Sequence, residues 1–298
     1  SYTSLKNRLG RIPRLVDFYE NEEIDPMIII REYKTYYAML KAMEKKQKIE
    51  ELSDGETLIL EYLSKTILSG VRPQELELLK MLLEHNEVSI EEFQEDVSVE
   101  FGYLLDMDAI QNTIRILQGH FHINSAEHQK YAQIDILKVN ENKRIQRLNS
   151  FVSKLNESEF RKELNDIISF GLYRYKDKYN QNKNQGVPFV LYEQYSRRDI
   201  CFLMNCEKDL SSVMYGMKRI EDDVFIFVTY HKKQTKDASK KYVDGKPDYD
   251  DRFESNQIFC WDTQLGKGIN SSYSQSVITA SRKHLMVQKR DRQIFGTI

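Results

Sequence analysis

The chain has 298 residues, 40% hydrophobic and 30% charged, with a formal net charge of −2. That length favours two domains over one, and the composition is that of an ordinary soluble globular chain. No apolar run approaches the roughly 18 residues needed to span a bilayer, and the start, SYTSLKNRLGRIPRL, has no apolar h-region, so a cytoplasmic protein without membrane span or secretory leader is expected.

Residues 1 to about 185 read as helical. Tyr33, Tyr36, Tyr37, Leu40 and Met43 fall on one helical stripe. Ser53 to Glu56 (SDGE) is a capping box before TLILEYLSKTIL, which should stop at Gly70. Pro73 suits the first turn of PQELELLKMLLEHN. SIEE, from Ser89 to Glu92, is a second capping box. Asp108 is the expected cap of DAIQNTIRILQG and Gly119 its stop. NESEFRKELNDIISFGLYRYKDKY is a long, highly charged helical stretch. Short helices with clear caps predict a compact helical domain of winged-helix type.

The linker is NQNKNQG, residues 180–186, polar and without apolar periodicity. The texture changes after it. VPFVLYEQY, DVFIFVTYHK, NQIFCWDTQ and HLMVQKRDRQIF are strand candidates. A polar loop over 232–257 separates two of them. The expected class is α+β: a helical domain over 1–185, then a mixed β-sheet or barrel domain with one helix over 186–298. From Gly186 onward there are 18 Lys+Arg against 15 Asp+Glu, and before it 26 against 31. A mildly basic C-terminal part is compatible with an anion-binding surface there. The chain opens on Ser, as a piece of a longer polypeptide would.

Few residues point to chemistry. HQKYAQID, residues 128–135, spells the H-x-K-x-x-x-x-D pattern of phospholipase-D-type nucleases. The Gly/Ser-rich continuation is missing and the motif occurs once, so coincidence is the expected explanation. His120, His122 and His128 lack partner ligands at metal-site spacing, and surface or cap positions are expected for them. Cys201, Cys206 and Cys260 form no C-x-x-C and read as buried thiols. No catalytic residue, metal or cofactor is indicated.

Three stretches suit nucleic acid better. In YEQYSRRDICFLM, Ser196 and Asp199 make a capping box, which puts Arg197 and Arg198 in the first helical turn. Two cations there oppose the helix dipole and make sense if an anion binds, although two solvated arginines are the plain alternative. YHKKQTK places Tyr230, His231, Lys232 and Lys233 at a strand end, as backbone contacts would require; a charged loop is the alternative. Trp261 is the only tryptophan. Strand alternation would put Phe259, Trp261 and Thr263 on one open face and turn Ile258 and Cys260 to the core. An aromatic wall beside Asp262, Thr263 and Gln264 suits a nucleobase, stacked on the ring and hydrogen-bonded at its edge.

These motifs together resemble the domain often labelled DUF3427: a Tyr-Ser/Thr-Arg helix start (Tyr195, Ser196, Arg197, Arg198), an FIFVTYHK strand (Tyr230, His231, Lys232) and an F-x-W-x-S/T-Q strand (Phe259, Trp261, Thr263, Gln264). LKNRLGRIPRLVDFYENEEIDP with YKTYYAML looks like the helical segment that precedes it. Thr263 departs from the more frequent Ser. Such regions close large proteins carrying a phospholipase-D-type nuclease and a superfamily 2 helicase, of the SauUSI-type, ATP-dependent, modification-dependent (type IV) restriction kind. The resemblance implies a β-domain similar to SRA-type readers. It would bind double-stranded DNA with 5-methylcytosine or 5-hydroxymethylcytosine by base flipping, with helicase and nuclease upstream in the same polypeptide and room for a homodimer. Trp261 with Phe259, Tyr195 or Tyr230 would then sandwich the base. Asp262, Thr263 or Gln264 would read its edge, and Ser196, Arg197, Arg198, His231, Lys232 and Lys233 would hold the backbone. The rival expectations are a protein-interaction module that docks on a helicase or nuclease subunit without reading DNA, and, behind it, a catalytic fragment using HQKYAQID.

Overall fold

The computed structural model describes residues 52–122, 128–180, 188–228, 242–243, 246–247, 251–255, 258–264, 266–288 and 294–297. The stripe from Tyr33 to Met43, the linker residues 181–186 and the strand end Tyr230, His231, Lys232 and Lys233 lie outside the described residues, as does most of the polar loop over 232–257. The chain divides into two units, Ser1–Pro188 with Asn205–Asp209, and Phe189–Met204 with Leu210–Ile298.

In the first unit, α1 (Asp54–Thr66) starts on the Ser53–Glu56 capping box and buries Ile59, Leu60, Tyr62 and Leu63. Pro73 stands just ahead of α2 (Gln74–Glu84), as its N-cap rather than inside the first turn. β1 (Glu87–Val88) leads to α3 (Ile90–Phe101), which has the second capping box at Ser89 and ends on Gly102 in the left-handed region. The cap of α4 (Met107–Leu117) is Asp106, whose Oδ1 accepts from the Ala109 amide at 2.7 Å, and not Asp108. Leu105 is buried, so the chain must turn into the helix directly after it. A short helix, α5 (His128–Tyr131), precedes the hairpin β2 (Leu137–Val139) and β3 (Ile145–Arg147). The sheet order is β1-β3-β2, all antiparallel. Helix, strand, two helices and a closing hairpin in this order make a winged helix. α6 (Asn149–Leu155) and α7 (Ser158–Arg174) complete the unit. Gly171 is where α7 meets α2: a methyl group there would stand 2.7 Å from Leu76 Cδ1.

His122 corrects the expectation of a surface histidine. It is buried, edge-on to Tyr62 and Phe121 and tilted on Tyr131, with Nδ1 3.6 Å from Asp209 Oδ2. The HQKYAQID residues also have structural partners: Lys130 pairs with Glu61 at 2.7 Å, and Asp135 accepts from Ser150 Oγ at 2.5 Å.

In the second unit β4 (Gln194–Ser196) runs into α8 (Arg197–Leu203). β5 (Met217–Ile220) and β6 (Asp223–Val228) form a hairpin. The two-residue pairs β7 (Tyr242–Val243) with β8 (Lys246–Pro247), and β9 (Arg252–Phe253) with β10 (Phe259–Cys260), follow. Helix α9 (Ser272–Ile278), β11 (Arg282–Gln288) and β12 (Ile294–Thr297) end the described chain. The main sheet has the order β4-β12-β11-β6-β5, with β6 and β11 parallel and the other pairs antiparallel. β6 reads as an unbroken apolar run because both its faces are covered. Val224, Ile226 and Val228 form one core with Ala280, Leu285 and Val287. Phe225 packs on Phe189 and His284 on the other face.

The barrel similar to SRA-type readers, expected from the resemblance, is corrected here. Among the described residues no sheet closes: β4 and β5 end the five-strand order, and the two-residue pairs join only each other. Closure needs more strands with a consistent tilt and stagger. The architecture is α+β with an open mixed sheet. No helix among the described residues is long and apolar enough to cross a membrane. Cys201 and Cys206 are buried thiols and Cys260 is half-buried.

Candidate nucleic-acid interface

α8 begins as its residues require. Ser196 Oγ accepts from the Asp199 amide at 3.1 Å, and Asp199 Oδ2 accepts from the Ser196 amide at 2.7 Å. Both side chains are therefore spent on the helix itself. Arg197 leaves the first turn sideways: its guanidinium carbon lies 4.6 Å from the centroid of the Tyr215 ring and 5.7 Å from that of Phe227. Tyr215 is 61% exposed, and Arg197 beside it is half-buried, so an aromatic face and a positive charge lie together at the surface. A planar cation stacked on an aromatic face is attracted by the ring's quadrupole. Arg198 is half-buried beside it in sequence.

Tyr215 is followed by Gly216, with φ +63°. A methyl group on Gly216 would stand 3.3 Å from Gln264 Nε2 and 3.4 Å from Tyr273 Oη. Tyr273 in turn stacks on Trp261, with centroids 6.0 Å apart and planes 25° from parallel. The Arg197–Tyr215 pair and the Trp261–Tyr273 stack thus flank Gly216, with Gln264 beside it. Gly216→Ala combines a disfavoured left-handed backbone with crowding of two side chains. It is expected to lower unfolding stability by about 1–2 kcal/mol, measurable as a shifted urea midpoint at unchanged slope.

The other expected residues are dispersed. Tyr195 is fully buried; its hydroxyl accepts from the Val190 amide at 2.8 Å and its ring meets Phe189 edge-on. Phe259 and Trp261 are half-buried and pack against the Val224, Ile226 and Val228 core, whereas Ile258, expected inside, is 54% exposed. The strand facing is reversed from the expected alternation, since β10 is only two residues long and imposes no pleat on Trp261. The exposed Asp262 donates its amide to Asp251 Oδ1 at 3.1 Å, and Thr263 Oγ1 donates to the Lys267 carbonyl at 2.8 Å. Of the edge-reading candidates, Gln264 is the one beside Gly216.

Sequence reasoning missed Tyr215, Gly216, Phe227 and Tyr273. An aromatic followed by glycine directly before a strand, in SSVMYGMKRI, was the available signal.

A second constellation lies at the start of β6 and β11. Asp223 is buried and takes Arg282 Nε and Nη2, both at 2.8 Å, and His284 Nε2 at 2.5 Å. Burial pushes the Asp223 carboxyl up, but the hydrogen bonds from Arg282 and His284 outweigh it and leave it below the usual carboxylate value. The His284 ring stacks on Phe225 with centroids 4.6 Å apart.

The family of domain of unknown function (DUF8090) matches residues 1–180. The chain belongs to the DUF8090 family. The family of domain of unknown function (DUF3427) matches residues 189–295, so a DUF3427 domain follows the DUF8090 part and contains all of these residues from Arg197 to Tyr273. No curated protein matches the chain.

Proposed function

We propose that this chain is the target-recognition region of an ATP-dependent restriction endonuclease, binding duplex DNA that carries 5-methylcytosine or 5-hydroxymethylcytosine. In this reading the DUF3427 domain touches the DNA, and the helicase and nuclease belong to the rest of the polypeptide. The chain itself performs no bond chemistry.

The observation that carries the reading is the Arg197 guanidinium lying on the exposed Tyr215 ring. The guanidinium supplies positive charge toward a phosphate and the ring a stacking platform. A base drawn from the duplex would stack on Tyr215 with Gln264 at its edge. Trp261 is a support in this arrangement, since Tyr273 stacks on it and the sheet core packs against it. Extrusion costs a few kcal/mol, which stacking must offset. The rival reading, a docking module that touches no DNA, draws on that same inward packing of Trp261.

One titration separates the two. Duplexes identical except for a single 5-methylcytosine are titrated at two salt concentrations with wild type, Arg197→Ala and Tyr215→Ala. A methyl group in an apolar niche is worth about 0.8 kcal/mol, so a preference of about fourfold for the modified duplex is expected. Tyr215→Ala should lose about 1–3 kcal/mol of binding, and Arg197→Ala should flatten the salt slope by about one counterion. Equal binding to both duplexes would remove modification reading, and no binding would leave the docking module.

A further inference from the structure

The helices of the winged helix in the first unit have a charge distribution unlike that of a DNA reader, and its cations are confined to the hairpin, where Lys138, Lys143, Arg144 and Arg147 stand against Glu141. In such folds the helix equivalent to α4 enters the groove while the hairpin and flanking helices meet phosphates, which requires cations. Residues 73–118 hold 11 Asp+Glu against two Lys+Arg. α4 opens with Asp106 and Asp108; further along, Asn112 Nδ2 donates to the Cys206 carbonyl at 2.7 Å. In the hairpin, Arg144 is engaged by Glu87 at 2.7 Å and Glu92 at 3.1 Å.

The same stretch exposes three apolar side chains close together in sequence. Val99 is 80%, Leu104 73% and Met107 48% exposed. They lie at the end of α3, in the connection and at the start of α4, interleaved in sequence with the exposed acids Glu95, Glu100, Asp106 and Asp108. An apolar centre with a charged rim is the anatomy of a protein interface, and the sign of the rim specifies the partner. Duplex DNA is repelled by it. The Lys176–Glu100 ion pair is half-exposed and weak enough to be exchanged for a partner's cation.

We propose that the α3–α4 junction is a docking surface for a basic amphipathic protein segment, one that seats aliphatic side chains on Val99, Leu104 and Met107 and sets Lys or Arg against Glu95 and Asp108. The site lies in the first unit, whereas the DNA-contacting reading concerns the second, and the proposal stands whether or not that reading holds.

The test uses the full chain and a fluorescein-labelled amphipathic helical peptide with Leu on one face and Lys on the other. Wild type should bind it more weakly as salt rises, and hydrogen-exchange protection should concentrate on residues 95–108. Val99→Ser with Leu104→Ser should weaken binding about tenfold or more, the equivalent of one aliphatic side chain left unburied. Glu95→Gln with Asp108→Asn should flatten the salt dependence. All four residues are exposed, so an unchanged thermal midpoint is expected and verifies that the variants fold. The proposal is overturned if the Val99/Leu104 variant binds as wild type does, if protection falls elsewhere, or if an unmodified duplex competes for residues 95–108. A concentration-dependent dimer abolished by Leu104→Ser would overturn it in favour of a second copy of this chain.

Discussion

Arg72→Ala should destabilise the first unit by about 3–5 kcal/mol, a large share of the stability of an ordinary domain. Arg72 lies in the turn between α1 and α2 and is buried. Its Nε donates to Glu75 Oε2 at 3.1 Å, and its Nη2 reaches Glu75 Oε1 and, at 2.7 Å, Asn112 Oδ1. Its Nη1 donates to Asn205 Oδ1 at 2.7 Å. Asn112 then donates to the Cys206 carbonyl. Truncating Arg72 strands a buried carboxylate and two amide oxygens, and the cost is chiefly that of leaving them unpaired. Arg72→Lys should recover only part of it, because one ammonium cannot serve three directions as a planar fork does. Arg72→Met with Glu75→Leu should come closer to wild type than either single change, since a well-packed apolar pair of similar volume often matches a buried ion pair. Urea unfolding checks all five variants. If Arg72→Ala unfolds at the wild-type midpoint, the network holds nothing together. Hydrogen exchange adds a local readout: amides of Asn205–Asp209 should lose protection first, because Asn205 sits in the left-handed region at φ 49° with its side chain held by Arg72.

That network also shows where legibility from sequence ends. The capping boxes at Ser53, Ser89 and Ser196 were readable because each is closed within one helical turn. β6 was readable because a strand covered on both faces needs β-branched and aromatic residues throughout. Arg72 and Asn205 are 133 positions apart, and nothing local to either says that they meet. The choice of Asp106 over Asp108 as the cap depended on Leu105 being core, a tertiary fact. Alternation along a strand puts Trp261 on an open face, but β10 is too short for that alternation to apply. Phe259 and Trp261 pack against the core instead, and the exposed ring against Arg197 is Tyr215, which no motif contained. Arg197 was found by its place in a helix start, but its stacking partners come from the β5 approach and from β6 itself. Whether the sheet closes depends on the number and length of paired strands, which composition does not encode.

Asp223→Asn should cost the second unit about 2–3 kcal/mol at neutral pH and remove most of its acid sensitivity. Asp223 opens β6 directly opposite Arg282 on the parallel strand β11. Its carboxylate takes two bonds from Arg282 and one from His284 while almost fully buried, and hydrogen bonds to a charged acceptor are worth about 1.5–3 kcal/mol net. Asparagine keeps the shape but loses the charge and turns one acceptor into a donor facing Arg282. The folded-state carboxyl titrates below its usual value of 3.8. A depressed carboxyl contributes stability that is complete above the unfolded-state value and disappears as pH falls through the folded-state value. Wild-type stability should therefore hold down to about pH 4 and fall below it, and the Asn variant should start lower and fall less steeply. Parallel loss in the two proteins between neutral pH and pH 3 would assign the acid transition to other carboxylates. Arg282→Ala should be milder, near about 1 kcal/mol, because the guanidinium is 45% exposed and water already screens it. His284 keeps Asp223 partly satisfied in that variant and is itself stacked on Phe225, so the carboxylate, not the arginine, ties β6 and β11 to the aromatic layer beneath them.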